Sequence, residues 1–186
     1  DTRNIYWARF NETNEKILFS TNDASGKYYL NTIEINKPIF QTPERVDSAI
    51  EESIDCSSVS PQQIMAITIG SQIVSDENGF SMIKGNAPSI ELKKDNMIFR
   101  TFKKARSPAW SRNGKSLLFM SEMFGQPEIV KWDIDEIGIQ RITTSKGGNN
   151  NPRFSPDNAW IIYNSNESGK NNIYISSLND QTKKRI

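Results

Sequence analysis

The chain has 186 residues, no histidine, a single cysteine, and 23 basic against 22 acidic side chains for a net charge of +1. That length suits one domain with a sizeable core, and the balanced charge recruits neither nucleic acid nor an anionic membrane surface. Lacking histidine, the chain has no Ser-His-Asp or Cys-His machinery, no His-ligated zinc, and not the commonest general base near neutral pH.

In chain order, the first recognisable unit runs from Phe10 through a polar turn (Asn11, Glu12, Thr13, Asn14) into the apolar run Ile17, Leu18, Phe19. A Gly26 loop follows, then an alternating strand from Tyr28 to Ile33. Residues 46–55 allow a short helical turn. Cys56 falls on an inner strand whose one face holds Ile54, Cys56 and Ser58, where a small thiol packs; alone, it forms no intrachain disulfide. A second unit begins at Val59, passes Ser60-Pro61-Gln62-Gln63, and enters Ile64, Met65, Ala66, Ile67. Its third strand is expected at residues 89–94, its turn at Asp95-Asn96 and its fourth strand at 97–102. The connection 70–88 is therefore about ten residues longer than its counterparts, a length that suits either a functional loop or a neutral insertion.

The third and fourth units say nearly the same thing. Pro108, Ala109, Trp110, Ser111 precede the tetrad Ser111-Arg112-Asn113-Gly114 and the run Leu117, Leu118, Phe119; Pro152, Arg153, Phe154, Ser155 precede Ser155-Pro156-Asp157-Asn158 and Ile161, Ile162, Tyr163. Phe154 lies 44 residues after Trp110. Proline presets φ in such tetrads, while Asn, Asp and Gly tolerate turn conformations. The continuous apolar runs suit strands covered on both faces. Each run is followed by a Gly-bearing loop (Gly125, Gly169), an alternating strand (128–132, 172–175), a polar turn and a last strand (139–143, 183–186).

Four antiparallel strands per repeat predict an all-β fold, a β-propeller of four-stranded antiparallel blades with about four visible, as a small closed ring or part of a larger one. An all-β sandwich also has short strands at regular spacing, but has no reason to repeat one turn tetrad at a fixed place. The expected organisation is a single domain over 1–186, with blades near 5–42, 53–102, 107–143 and 151–186.

The pattern Pro-x-aromatic-Ser-Pro-Asp-Gly, followed by a hydrophobic strand, a Ser- and Gly-bearing loop and an Ile-Tyr strand, resembles the WD-like repeats of TolB-type propellers. Residues 107–143 and 151–186 carry it well, and the first two units carry it poorly. Arg112-Asn113 stands in place of Pro-Asp in the third unit and Asn158 in place of Gly in the fourth. The resemblance implies non-covalent recognition of a protein partner, as a bacterial interaction or sensor module, and an extracytoplasmic, periplasmic setting. It also admits a rival, the propeller cap of a prolyl-oligopeptidase-type serine hydrolase whose catalytic domain is absent here. Cysteine usage alone leaves cytosol and periplasm open.

No Gly-x-Ser-x-Gly elbow, Walker loop or Gly-x-Gly-x-x-Gly occurs, and Gly147-Gly148 followed by three Asn suits a turn. Glu51, Glu52 and Asp55 read as a solvated loop rather than a glycosidase pair, and Asp76-Glu77-Asn78-Gly79 lacks the acidic series of a calcium loop. The expectation is a non-enzyme without catalytic residues, cofactor or metal. Lys93, Lys94, Arg100, Lys103, Lys104 and Arg106 read as solvated strand edges rather than a phosphate site, and Phe99 and Phe102 as core positions. No run approaches the roughly 20 apolar residues of a membrane span, and the start carries no leader pattern, so any leader or anchor is absent or already removed. In propeller topology one rim collects the connections between units and the loops between second and third strands. That rim is the expected partner surface, with Lys103, Lys104, Arg106, Glu122, Asn149, Asn150, Asn151, Asn166, Glu167 and the 70–88 loop.

Overall fold

The structure is a computed structural model, and it describes residues 5–10, 15–22, 28–35, 43–45, 57–70, 72–75, 81–84, 87–95, 97–180 and 182–186. Every regular element among them is a strand. The first four are β1 (Ile5–Phe10), β2 (Lys16–Asn22), β3 (Tyr28–Glu34) and β4 (Glu44–Arg45), hydrogen-bonded in that order. The second sheet has the order β10-β9-β6-β5, from β5 (Ser57–Val59), β6 (Met65–Ile69), β9 (Ser89–Lys94) and β10 (Met97–Lys103). Between β6 and β9 a separate antiparallel ribbon forms from β7 (Gln72–Ser75) and β8 (Ser81–Lys84). The third sheet runs β11 (Ala105–Trp110), β12 (Ser116–Ser121), β13 (Glu128–Asp133), β14 (Gln140–Arg141); the fourth runs β15 (Asn149–Phe154), β16 (Trp160–Ser165), β17 (Asn172–Ser177), β18 (Lys183–Arg185).

The repeat is one of register as well as sequence. Trp110 pairs with Leu117 and Ala109 with Leu118; Phe154 pairs with Ile161 and Arg153 with Ile162. Each motif serine closes its turn the same way: Gly114 N–H donates to Ser111 O and Asn158 N–H to Ser155 O, both at 2.9 Å. The same bond runs from Gln63 to Ser60. Gln63, Gly114 and Asn158 all have positive φ, at 61°, 69° and 59°, so the tetrad's last position needs a residue that tolerates the left-handed region. At Gly114 a Cβ would also lie 1.8 Å from Gln62 Oε1 and 2.9 Å from Pro61 Cδ, so the Gln62 side chain would have to move aside.

Three apolar clusters lie at three junctions, so the sheets stack in chain order. Leu18 and Leu30 of the first sheet meet Met65 and Ile67 of the second. Ala66, Ile90 and Leu92 meet Trp110, Leu117, Phe119, Val130 and Trp132. Leu118, Met120 and Ile129 meet Ile161, Tyr163 and Tyr174. Burying one such side chain contributes about 1.5–3 kcal/mol, and each sheet between two neighbours contributes on both faces. Arg100 of β10 crosses the second junction, its guanidinium 4.8 Å from the Trp132 ring centroid, and donates to Ile137 O at 2.6 Å.

The structure differs from several sequence expectations. Phe99 is exposed, although Phe102 packs on Phe119 and Trp132. A register shift between Ile98 and Arg100 rotates the first half of this outer strand out of the alternation that would have buried Phe99. The 70–88 connection carries the β7–β8 ribbon rather than plain loop; the cue left unread in the sequence was Asn78-Gly79 between two short runs with apolar centres, Ile73-Val74 and Met82-Ile83. The last strands are short, with Gln140–Arg141 where 139–143 was expected. The helical turn at 46–55, Cys56 and the acidic candidates Glu51, Glu52 and Asp55 lie outside the described residues.

Candidate functional site

One rim of the stack gathers the connections from the second sheet to the third and from the third to the fourth, with the β12–β13 and β16–β17 loops, tied together through the backbone. Glu122 N–H donates to Lys104 O at 2.9 Å, Asn149 N–H to Pro127 O at 2.9 Å, and Asn166 N–H to Gly148 O at 3.3 Å. Ala105 N–H donates to Pro88 O at 3.0 Å, which brings the end of the 70–88 connection to the same rim. Nearby, β11 and β15 share a second device. Ser107 and Asn151, 44 residues apart and each followed by proline, hold positive φ of 57° and 53° within register shifts. Such bulges bend a strand and re-aim its side chains. Here they let the Ser107 hydroxyl donate to Asn151 Oδ1 at 3.1 Å, joining the third and fourth sheets.

The expected site residues thus lie on one rim, but they are not equivalent there. Lys103, Lys104, Asn151 and Asn166 are exposed. Arg106 is half-buried and donates to Glu122 Oε1 at 3.2 Å, so these two neutralise each other. Glu167 accepts both of its bonds from Lys183 Nζ at 2.7 Å. Asn150 is half-buried, while Asn149 is fully buried and faces inward. The pairing and burial follow from the bulges, which tuck the first residues of each inner strand beneath the neighbouring loop.

Asn149 leads to the group that the sequence reading missed. Its Nδ2 donates at 2.8 Å to Glu128, a carboxylate with 0% exposure at the start of β13. Arg141 Nη2 donates to the other oxygen at 2.8 Å, the Thr143 hydroxyl donates to Oε2, and Gln126 Nε2 donates at 3.2 Å. A buried carboxylate is tolerated only when paired and hydrogen-bonded in this way. The signal was present: Glu128 alternates with Val130 and Trp132, so it falls on an apolar face. Beside it a cleft of about 200 Å³ opens between the third and fourth sheets, lined by Arg141, Thr143, Ser145, Tyr163, Ser176 and Lys183. Burial, then the nearby Glu167 charge, pushes the Tyr163 phenol up to about 12, so it stays neutral. Both cations of the cleft already face carboxylates, which makes it a polar seam without a net charge to offer.

Four-stranded antiparallel sheets, stacked in chain order around bulged inner strands with their variable loops on one rim, define a β-propeller built of WD-like blades. A family model described as the TolB beta propeller domain matches residues 88–186. The chain belongs to that family. The Tol-Pal system protein TolB of Francisella tularensis subsp. mediasiatica is 31% identical over 116 residues, which are 61% of this chain and 24% of that protein. The chain therefore spans about a quarter of the curated relatives that it matches. Among solved structures, TolB from Acinetobacter baumannii superposes with a TM-score of 0.69 at 22% identity, over 94% of this chain and 42% of that one. A prolyl endopeptidase superposes with a TM-score of 0.67 at 13% identity, over all of this chain and 28% of that one, a likeness of fold alone.

Proposed function

We propose that the chain is a non-enzymatic, TolB-like interaction module of a single propeller domain, which binds a protein partner through the loop-bearing rim in the periplasm. The observation that carries this reading is the contrast between the rims. One is cross-tied by backbone hydrogen bonds between variable connections and displays Lys103, Lys104, Asn151 and Asn166. Among the described residues the other holds tight turns such as residues 155–158, where the Ser155 hydroxyl and Ala159 N–H both donate to Asp157 Oδ1. A scaffold whose loops are held in place loses little ordering entropy on association. The relative named as a Tol-Pal system protein supports an assembly role and an extracytoplasmic setting. Peptidase or glycosidase turnover that tracks with the purified chain, and is lost on mutating one carboxylate or serine, would overturn the non-enzymatic part.

Because Arg106 is neutralised by Glu122, the informative charges are the two exposed lysines. Replacing Lys103→Glu together with Lys104→Glu is expected to weaken capture of a partner from periplasmic extract several-fold at low salt. At high salt the difference should shrink, since rim charges act mainly on encounter. Wild type and variant are compared side by side at both salts. Equal capture at low salt places binding elsewhere.

A further inference from the structure

The β12–β13 and β16–β17 loops are one turn written twice. Gly125 N–H donates to Glu122 O at 3.1 Å, and Gly169 N–H to Asn166 O at 2.9 Å. Met123 N–H donates to Ser121 Oγ at 3.3 Å, and Glu167 N–H to Ser165 Oγ at 3.2 Å. Both glycines hold positive φ, at 90° and 83°. What differs is the tip. One repeat of 44 residues separates Met123 and Phe124 from Glu167 and Ser168, so the turn closes equally well on polar residues and gives no reason for two large apolar ones. Nor does the core supply one, since Met123 is 57% and Phe124 39% exposed.

The tip is held in place. Glu122 N–H is tied to Lys104 O and Gln126 Nε2 to Ser145 O, while the Arg141 guanidinium lies over the Phe124 ring, 4.7 Å from its centroid. The first two ties run to segments that carry lysine: Lys103 and Lys104 on one side, Lys146 on the other, all exposed. The ion pairs among the described residues leave these three out, whereas the carboxylates beside them are spent, Glu122 on Arg106, Glu128 on Arg141 and Glu167 on Lys183. The tight-turn rim of the same two sheets is of mixed sign, with exposed Asp135, Glu136 and Asp157 beside Arg112 and Lys115.

We propose that this apolar tip, flanked by lysines, anchors the partner of the loop-bearing rim, and that the partner meets it with an acidic segment carrying a large apolar side chain between carboxylates. The inference rests on reading that rim as the partner surface. Aromatic and methionine side chains are enriched at the centres of interfaces and dominate their energetics, and methionine adapts to the shape it meets. A carboxylate brought up to Lys104 or Lys146 meets no free acid, so charge favours its encounter and fixes its register, while a basic segment is repelled. Phe124 lies back against Arg141 and offers a ring for a side chain to pack on, not a wedge for a bilayer, which sets a protein segment ahead of an anionic lipid surface.

The probes are labelled peptides of equal length, read by fluorescence anisotropy: glutamate with leucine, glutamate with serine, and lysine with leucine. Phosphatidylglycerol vesicles, read by co-sedimentation, are the lipid arm. Wild type is expected to bind the glutamate–leucine peptide tightest and the lysine–leucine peptide not at all. Met123→Ser with Phe124→Ser should weaken the glutamate–leucine peptide by about tenfold or more, as loss of an interface anchor does, and leave the glutamate–serine peptide unchanged. Lys104→Ala with Lys146→Ala should weaken both acidic peptides, more at low salt than at high. All four positions are exposed or polar in the matching turn, and circular dichroism checks that each variant is folded. Equal affinity of wild type and the double-serine variant for the glutamate–leucine peptide overturns the inference, as does a wild type that ignores that peptide or binds the vesicles in its place. The rim reading is judged separately. If Lys103→Glu with Lys104→Glu loses the extract partner while the double-serine variant keeps it, the rim stands and the anchor alone falls.

Discussion

Glu128→Ala is expected to lower the unfolding free energy by about 3–5 kcal/mol, the range for removing one partner of a buried ion pair. Arg141, Thr143 and Asn149 all aim donors at this carboxylate, and alanine leaves them facing a hole. Thr143 is buried, so its hydroxyl loses its acceptor without gaining water, at about 1–3 kcal/mol for an orphaned group, whereas Asn149 Nδ2 keeps Ser145 Oγ and Gly147 O as acceptors. The Arg141 side chain is a third exposed and can turn to solvent, which places the sum at the lower end. Glu128→Gln keeps the shape and one acceptor oxygen, so it should cost less than alanine while still losing the charge. Urea denaturation reads both as shifts in midpoint at unchanged slope. A shift for alanine no larger than that of an exposed pair, under about 1 kcal/mol, would show that the carboxylate is not a junction between the sheets.

The chain wrote its fold more plainly than its site. Trp110 and Phe154, the two tetrads and the apolar runs that follow them recur at one spacing because each blade solves the same problem: turn sharply, then fill a junction. That logic is local, so residues 107–143 and 151–186 read directly, and the hydrogen-bonded register repeats with them. The rim was legible as topology, since strand alternation fixes which connections share an end. Its electrostatics were not. Whether Arg106 is free or spent on Glu122, and whether Asn149 faces solvent or Glu128, depends on bulges at Ser107 and Asn151 that place non-glycine residues at positive φ just before proline. Residue type alone signals this weakly, because the left-handed region is tolerated rather than demanded by Asn and Ser. Phe99 failed for the same reason, a register shift breaking an alternation that the sequence displays intact.

Leu118→Ala is expected to cost about 2–5 kcal/mol and Ile162→Ala less than about 1 kcal/mol in dilute chain, although the two residues occupy the same place in the repeat. Leu118 is fully buried between Met120, Ile129 and the residues of the fourth sheet, so truncation loses transfer energy and leaves a cavity. Ile162 makes the same cross-strand register but has no sheet above it, and its truncation removes surface already half in water. The contrast isolates packing between blades from everything the repeat holds constant: strand, pairing, turn and neighbours in sequence. Thermal or urea unfolding of both variants at low protein concentration measures it. Equal costs would mean that stability resides within each sheet rather than at the junctions, and the argument that apolar runs mark strands covered on both faces would fail.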